Sequence, residues 1–290
     1  DLHLSIRRQR QMCIRDSEKP RTTIGWKGYI NDPDLDGSNN IDKGLRLARQ
    51  LLIDVSKLGL PTATEFLDPI TPQYIGDLIS WGAIGARTTE SQIHRQLASG
   101  LSAPIGFKNS TDGSIQIAID AIKSAMNPHM FLSVTKHGKS AIVSTTGNAD
   151  CHVIHRGGKL GENFSTQHIN DSRKLLEANG IKTGIVIDLS HANSDKDFKK
   201  QAFAATSVCR QISLRDKDIV GVMVESNIVE GRQDLSENLV YGQSVTDGCL
   251  GWNSSLKILD KIYHAVKTRS FNESSSVSYT HLTLPTNREV

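Results

Sequence analysis

The side chains best suited to chemistry in this sequence follow apolar runs that are typical of buried strands. Residues 185–189 read IVIDL, and the run then breaks into Ser190, His191 and Asn193. In a parallel sheet covered by helices, binding groups collect where the strands end. A single histidine in such a place often only hydrogen-bonds a loop. Several other runs in this chain also end in charged residues, and this repetition favours a binding site.

The charged residues that follow predicted strands form one candidate set. The set comprises Glu65, Arg87, Lys108, Arg156, His191 and Glu225, with Lys19 and Arg21 from an early loop and Asp247 from a late one. Five members are cations, which suit a multiply anionic substrate such as a phosphorylated acid, although each alone is typical of a solvated surface charge. The histidine and the two late carboxylates are nitrogen and oxygen ligands that borderline divalent metals accept.

Lys108 allows a second chemistry because it ends the apolar run PIGFK at residues 104–108. A desolvated lysine can be the nucleophile of a Schiff-base aldolase, whereas anion binding uses its charge. Glu65 could serve by holding an arginine in place. His94, on a predicted helix, is expected to have a structural role or to reach toward a site residue.

The runs that carry these residues alternate with amphipathic segments, which predicts βαβ units and a parallel sheet. Strands are predicted at 61–67, 83–87, 104–108, 130–134, 151–155, 185–189 and 219–224, and helices at 41–58, 72–81, 91–99, 114–125, 166–179, 197–212 and 254–267. A hairpin is predicted around His137 and Gly138. Polar residues end most strands and tandem GxGxxG turns are absent, so a (β/α)8 TIM barrel is favoured over a Rossmann sheet. A closed barrel needs eight strands, so one or two more should lie at or before Lys19.

Composition bounds the class of protein. The 290 residues are 37% hydrophobic and 22% charged, as in globular proteins with a sizeable core, and the four cysteines are too irregularly spaced for a disulfide framework or a zinc motif. No apolar run reaches the roughly 20 residues of a membrane span, and no signal-peptide pattern opens the chain, so a cytoplasmic protein without a membrane partner is expected. Of the net charge of +3, residues 1–17 contribute +2 (four Arg, two Asp), so the remainder carries only about +1 and a nucleic-acid partner is not expected.

The two ends of the chain differ from its middle. Residues 1–17 and 271–290 lack clear helical or strand periodicity, and we interpret them as foreign-looking or disordered segments outside the fold. The expected barrel domain is 18–270.

Long motifs in that middle part resemble those of type I 3-deoxy-D-arabino-heptulosonate 7-phosphate (DAHP) synthases. They are KPRTT (19–23), GWKG (25–28), INDP (30–33), SWGAIGARTTESQIHRQLASGLS (80–102), GFKN (106–109), RGGK (156–159), DLSHAN (188–193), GVMVES (221–226) and SVTDGCLGW (244–252). The likeness covers about residues 18–270.

The resemblance implies a metal-dependent (β/α)8 barrel that condenses phosphoenolpyruvate with erythrose 4-phosphate, the first step of the shikimate pathway to aromatic amino acids. It implies that Arg87, Lys108 and Arg156 bind phosphoenolpyruvate and that Glu65 positions a water molecule.

The resemblance also implies the other contacts of the site. The residues expected to bind erythrose 4-phosphate are Lys19, Pro20, Arg21 and Thr22, with Lys19 near the aldehyde. His191, Glu225 and Asp247 would bind a divalent metal ion, either Mn, Fe, Co or Zn. Lys19 and His191 would be the catalytic residues.

The front of the chain departs from the family pattern. Family members carry a GPCSIHDP-like strand end whose cysteine is a fourth metal ligand, and an arginine on the strand that leads into KPRTT. Here Ile14 stands at that arginine position, and Cys13 lies too close to KPRTT to replace the cysteine. The expectation is an N-terminally truncated barrel without its first strand and most of its second, and an impaired or inactive fragment.

Regulation and rival functions complete the expectations. Residues 101–102 and 131–136 look most like those of phenylalanine-sensitive family members, so an aromatic amino acid is expected as feedback inhibitor. The resemblance also implies a homo-oligomer, at least for intact family members. Two rival functions stay open, namely a non-catalytic barrel that binds a phosphorylated metabolite and a Schiff-base aldolase that uses Lys108.

Overall fold

A computed structural model describes residues 13–15, 17–21, 24–214 and 216–276. Within these ranges, no helix is both long and apolar enough to cross a membrane. Thr22, one of the predicted substrate contacts, lies outside the described residues.

Seven parallel strands form the central sheet. They are β1 (Cys13–Arg15), β2 (Thr62–Glu65), β3 (Trp81–Ile84), β4 (Ile105–Lys108), β7 (Cys151–His155), β8 (Ile185–Asp188) and β9 (Ile219–Met223). They lie side by side in that order, and every neighbouring pair is parallel. The predicted parallel α/β sheet is therefore confirmed.

The middle strands of the sheet are buried on both faces. β3, β4, β7 and β8 consist entirely of buried residues, which explains their apolar sequences. One small cluster on the sheet includes Ala63, Trp81 and Ile154. Near the amino ends of the strands, Trp81 Nε1 donates a hydrogen bond to His152 Nε2 at 3.0 Å.

Helices alternate with these strands as predicted. They are α1 (Ile41–Lys57), α2 (Pro72–Ile75), α3 (Gln92–Ser99), α4 (Ile115–Ala125), α5 (Thr166–Ala178), α6 (Gln201–Ser213) and α7 (Trp252–Ser276). In α1 the buried residues Ala48, Leu52 and Val55 recur at helical spacing. The Asn40 side chain caps this helix by accepting a hydrogen bond from Lys43 N at 3.3 Å.

The strand predicted at 130–134 forms, but it does not belong to the central sheet. β5 (Met130–Val134) pairs antiparallel with β6 (Ser140–Ser144) around the predicted turn, and β4 pairs directly with β7. Met130 and Leu132 are 70% and 82% exposed and alternate with half-buried residues, so one face of this hairpin lies in solvent. A second small pair of strands joins β10 (Val229–Arg232) and β11 (Gln243–Ser244).

Three helices differ from their predicted boundaries by more than one residue. The helix predicted at 197–212 begins only at Gln201, after a 3-10 turn at Phe198–Lys200. The helix predicted at 72–81 ends at Ile75 and continues only as a 3-10 turn at Gly76–Leu78, because Ile79 turns to the extended conformation that leads into β3. α7 begins two residues before its predicted start and runs to Ser276, beyond the predicted domain end at 270.

β1 lies inside the segment 1–17 that the sequence places outside the fold. Its three residues pair in register with Thr62, Ala63 and Thr64 of β2. The exclusion is therefore wrong for these residues, and a strand before Lys19 is confirmed. Among the described residues, β1 pairs only with β2 and β9 only with β8, so those residues form an open sheet.

Candidate active site

Six members of the candidate set belong to six different strands of the sheet. Glu65 and Lys108 are the last residues of β2 and β4, whereas Arg87, Arg156, His191 and Glu225 lie within three residues after β3, β7, β8 and β9. The strands are parallel, so their carboxyl ends share one edge of the sheet. The structure therefore brings these six residues to one site.

Lys108 lies at the centre of this edge and is buried. Its Nζ lies 3.5 Å from Glu65 Oε2 and 3.3 Å from Asp188 Oδ2. Burial lowers the pKa of Lys108, but the negative charges of Glu65 and Asp188 outweigh it, and the pKa lies above its ordinary value. Lys108 is thus a protonated cation between two carboxylates.

Arg87 and Arg156 add two guanidinium groups. Burial lowers the pKa of Arg156, and the positive charge of Arg87 acts in the same direction, against the carboxylates of Asp188 and Glu65. The two arginines are therefore close enough to repel one another. Such a pair favours an anionic ligand that would relieve the repulsion.

His191 is held by its Nδ1 atom. This atom lies 2.8 Å from Ser190 Oγ and 3.0 Å from Asp188 Oδ2, while Nε2 lies 3.8 Å from Glu225 Oε1. The backbone of His191 has a φ of +57°, which side-chain-bearing residues rarely adopt. An unusual backbone and a fixed ring together direct Nε2 toward Glu225.

Negative charge is crowded around Glu225. Burial raises the pKa of Glu225 to about 7, and the nearby carboxylates of Asp188 and Asp247 add to the rise, while His191 opposes it. Asp247 Oδ2 lies 2.7 Å from Lys19 Nζ. The pKa of Asp247 lies below its ordinary value. Burial acts to raise this pKa, but the positive charges of Lys19 and His191 together lower it by more.

The donor set of His191, Glu225 and Asp247 fits a divalent cation chemically. A cation would relieve the repulsion between the carboxylates, and the ring of His191 presents Nε2 while a carboxylate holds Nδ1, an arrangement typical of metal-bound histidines. The side chains do not converge on one point: within the described ranges, no three His, Cys, Asp or Glu side chains are grouped closely enough to hold a metal ion.

Glu18, which the sequence analysis did not select, anchors the loop that carries Lys19, Pro20 and Arg21. Its buried carboxylate accepts hydrogen bonds from Asp68 N at 3.0 Å, Leu67 N at 3.3 Å and Thr71 Oγ1 at 2.9 Å. These donors lie in the loop after β2, which begins next to Glu65. Glu18 therefore fixes the loop of Lys19, Pro20 and Arg21 against the carboxyl end of β2, beside Glu65.

Local contacts complete that anchoring. Arg21 Nε donates to Trp26 O at 2.7 Å, and Lys19 N donates to Lys27 O at 2.8 Å. Gly28, with a φ of +111°, packs so closely that a Cβ there would lie 2.7 Å from Glu18 Cα. The motif GWKG thus folds back on residues 18–21.

Replacing Glu18 with glutamine should change how stability depends on pH. Burial raises the pKa of Glu18 to about 7 from an ordinary 4.5, even though hydrogen bonds from Thr71, Asp68 and Leu67 oppose the rise. A raised folded-state pKa stabilises the fold fully below the unfolded pKa, and this contribution is lost as pH rises through the folded pKa. The free energy of unfolding of the wild type should therefore fall as the pH rises from 4.5 to about 7. Glu18→Gln should remove up to about 3 kcal/mol of that fall.

Thermal or urea unfolding across this pH range measures the effect. Glu90→Gln, at an exposed position, is the matched control and should keep the wild-type pH profile. If Glu18→Gln and Glu90→Gln give the same profile, the Glu18 carboxyl has no raised pKa.

Three buried asparagines, none of them in the candidate set, join the strand-end loops. Asn109 Oδ1 accepts from Arg156 N at 2.8 Å and from Asn163 Nδ2 at 3.1 Å. Asn193 Oδ1 accepts from Asn163 N at 2.9 Å, and Asn193 Nδ2 donates to Asp188 O at 2.8 Å. This amide network connects the loops of Lys108, Arg156 and His191, so it fixes their spacing.

His94 ties α3 to the same edge. Its Nε2 lies 2.8 Å from Leu67 O and its Nδ1 lies 2.8 Å from Ser91 Oγ. Both nitrogens are engaged with protein atoms, as a structural histidine requires.

A parallel sheet with cations collected at its carboxyl ends is the architecture of α/β enzymes that bind phosphorylated substrates. The model of the DAHP synthetase I family matches residues 4–260, and the chain belongs to that family. The family inferred from the motifs is confirmed.

Individual relatives are similar to this chain in sequence over most of its length. It is 59% identical over 254 residues to phospho-2-dehydro-3-deoxyheptonate aldolase, Phe-sensitive, of Escherichia coli (strain K12), covering 87% of this chain and 72% of that protein. It is 55% identical over 254 residues to phospho-2-dehydro-3-deoxyheptonate aldolase of Haemophilus influenzae, covering 87% of this chain and 70% of that protein. The solved phospho-2-dehydro-3-deoxyheptonate aldolase of Francisella tularensis SCHU S4 superimposes with a TM-score of 0.87 at 54% identity, over 92% of this chain and 80% of that chain.

Proposed function

We propose that this site condenses phosphoenolpyruvate with D-erythrose 4-phosphate to form DAHP and phosphate, the first step of aromatic amino-acid biosynthesis. The observation that carries the proposal is the convergence of Arg87, Lys108 and Arg156, from three different strands, beside the crowded carboxylates near His191. The fold we propose for it is a (β/α)8 barrel.

In this proposal the three cations bind phosphoenolpyruvate through its phosphate and carboxylate. Lys108 is suited to this role because it stays protonated in a buried place. Arg87 and Arg156 are suited because guanidinium groups match these oxygens in pairs. Glu65, 3.5 Å from Lys108 Nζ, lies where it can orient the water molecule that the reaction consumes.

The loop with Lys19, Pro20 and Arg21, together with Thr22, binds erythrose 4-phosphate in this proposal. Lys19 approaches the aldehyde, and Arg21 and Thr22 meet the phosphate. The anchoring by Glu18 supports this division, because it fixes the loop beside the phosphoenolpyruvate contacts. Holding two mutually repelling anions in reacting geometry is a major part of the rate enhancement in such a condensation.

His191, Glu225 and Asp247 would hold a divalent metal ion, either Mn, Fe, Co or Zn. When bound, such an ion supplies Lewis-acid polarisation of the aldehyde. Asp247 also contacts Lys19 at 2.7 Å, so the metal-binding carboxylates and the erythrose 4-phosphate loop are directly connected.

An assay of the purified chain with Mn2+ tests the proposal. We expect phosphoenolpyruvate to be consumed, and phosphate released, only when erythrose 4-phosphate is present. Because Ile14 stands where the motif resemblance implies an arginine, we expect turnover to be low, so calorimetric binding of phosphoenolpyruvate should be measured on the same sample. A folded chain that neither binds phosphoenolpyruvate nor consumes it would contradict the proposal.

The two rival functions give different results in the same experiments. A non-catalytic barrel would bind phosphoenolpyruvate without any turnover dependent on erythrose 4-phosphate. A Schiff-base aldolase would form a covalent adduct at Lys108 that borohydride traps. The carboxylates of Glu65 and Asp188 keep Lys108 protonated, which makes it a poor amine nucleophile and disfavours this reading.

An aromatic amino acid is the proposed feedback inhibitor, as the name of the Phe-sensitive Escherichia coli relative suggests. The hairpin residues Phe131 and Val143 face each other across β5 and β6. Asn148 Nδ2 donates to Leu101 O at 3.0 Å, which holds the segment after α3 against the end of the hairpin. A thermal shift with phenylalanine, compared with tyrosine and tryptophan, tests this proposal.

A further inference from the structure

Asp188 contacts both halves of the proposed site with one carboxylate. Oδ2 lies 3.3 Å from Lys108 Nζ, a proposed phosphoenolpyruvate contact, and 3.0 Å from His191 Nδ1, on a proposed metal ligand. Only 2% of the residue is exposed. Solvent therefore screens neither contact effectively.

The second oxygen of Asp188 fixes the orientation of the carboxylate. Oδ1 accepts from Ser190 N at 3.0 Å and from Ser190 Oγ at 2.5 Å. The Asp188 carbonyl accepts from Asn193 Nδ2 at 2.8 Å. With its backbone and Oδ1 both held, Asp188 presents Oδ2 to Lys108 and His191 in one fixed position.

The hydrogen bonds around His191 Nδ1 determine where the ring carries its proton. Ser190 Oγ donates its own hydrogen to Asp188 Oδ1. Ser190 Oγ and Asp188 Oδ2 therefore both face Nδ1 as acceptors, at 2.8 and 3.0 Å. His191 must therefore carry its proton on Nδ1, which leaves the Nε2 lone pair toward Glu225.

We propose that Asp188 is a positioning residue that couples the two halves of the site, because it sets the Nδ1–H tautomer of His191 and holds Lys108 in place at the same time. This inference rests on the proposed function, since it assigns Lys108 to phosphoenolpyruvate and His191 to the metal ion. It extends the proposed site to a residue that would contact neither phosphoenolpyruvate nor the metal ion itself.

Asp188→Asn is the test variant, because asparagine keeps the shape of the side chain but loses its charge. We expect Mn2+ affinity, measured by calorimetry without substrates, to fall about 10- to 100-fold. The KM for phosphoenolpyruvate should rise more than kcat falls, because Lys108 loses one of its two carboxylate partners. The nitrogen NMR shifts of the His191 ring should indicate the Nδ1–H tautomer in the wild type and a mixture of both tautomers in Asp188→Asn. Asp120→Asn, on the exposed face of α4, makes the same chemical change away from the site and should match the wild type in all three measurements.

The outcomes separate this inference from the proposed function. If wild-type chain binds phosphoenolpyruvate but Asp188→Asn keeps wild-type Mn2+ affinity and the wild-type tautomer, the positioning role is wrong and the proposed function stands. If the wild type itself neither binds phosphoenolpyruvate nor turns over, the proposed function fails first. If Asp188→Asn does not fold, the nitrogen NMR spectrum of the wild type at mildly alkaline pH still decides. A predominant Nε2–H tautomer of His191 in that spectrum would overturn the inference.

Discussion

Replacing Lys108 with methionine is expected to abolish detectable phosphoenolpyruvate binding. Methionine keeps the unbranched side chain, one atom shorter, but removes the charge that lies between Glu65 and Asp188. Charged hydrogen bonds are each worth about 1.5–3 kcal/mol, so loss of two such contacts to the substrate should weaken binding by more than about 100-fold. Calorimetry with phosphoenolpyruvate measures this effect.

The same variant should also be less stable. Two carboxylates would lose their shared cation, and breaking a buried ion pair from one side costs about 3–5 kcal/mol. Lys123→Met is the matched control, because Lys123 is exposed on α4 and should leave both binding and stability unchanged. Wild-type phosphoenolpyruvate affinity in folded Lys108→Met would remove Lys108 from the substrate site.

Replacing His191 with alanine is expected to remove the response of the protein to divalent metal. A ligand that binds only the folded state stabilises it by about 2.7 kcal/mol at a hundred-fold excess over its Kd. Mn2+ should therefore raise the unfolding midpoint of the wild type. The rise should be nearly absent in His191→Ala, because the variant lacks the single nitrogen donor of the proposed set.

The control for this experiment is His264→Ala. His264 lies on α7, and 65% of its side chain is exposed. Its removal should leave the Mn2+ shift intact. An equal shift in wild type, His264→Ala and His191→Ala would show that Mn2+ stabilises the fold through other residues.

Much of the sheet could be predicted because its strands are short, buried and separated by amphipathic helices. The run at 185–189 became β8, and the charged residues after each strand lie at one edge as expected. Periodicity could not assign 130–134, because MFLSV is apolar enough for a buried strand yet forms one side of an exposed hairpin. A strand before Lys19 was expected, but β1 could not be located, because three residues are too few to show any pattern and its pairing depends on the edge of β2.

The site residues that sequence reasoning missed act through partners far away in the chain. Asp188 reads only as the polar exception in an apolar run, and its contact with Lys108 depends on β4 and β8 lying near each other through β7. Glu18 reads as the first residue of a charged loop, although its hydrogen bonds reach Asp68 and Thr71. A charged residue inside or beside a buried strand is the available signal, since it requires a partner.

The left-handed backbone conformation of His191 lowers the stability of the fold at a residue that the proposed function requires. A residue with a side chain costs about 1–2 kcal/mol in this conformation, and glycine removes the cost. His191→Gly should therefore be more stable than His191→Ala by about 1 kcal/mol, although both lose the ring. A lineage selected only for a durable fold would drift toward glycine at position 191. A relative with glycine at this position is expected to keep the fold and to lose whatever the imidazole ring contributes.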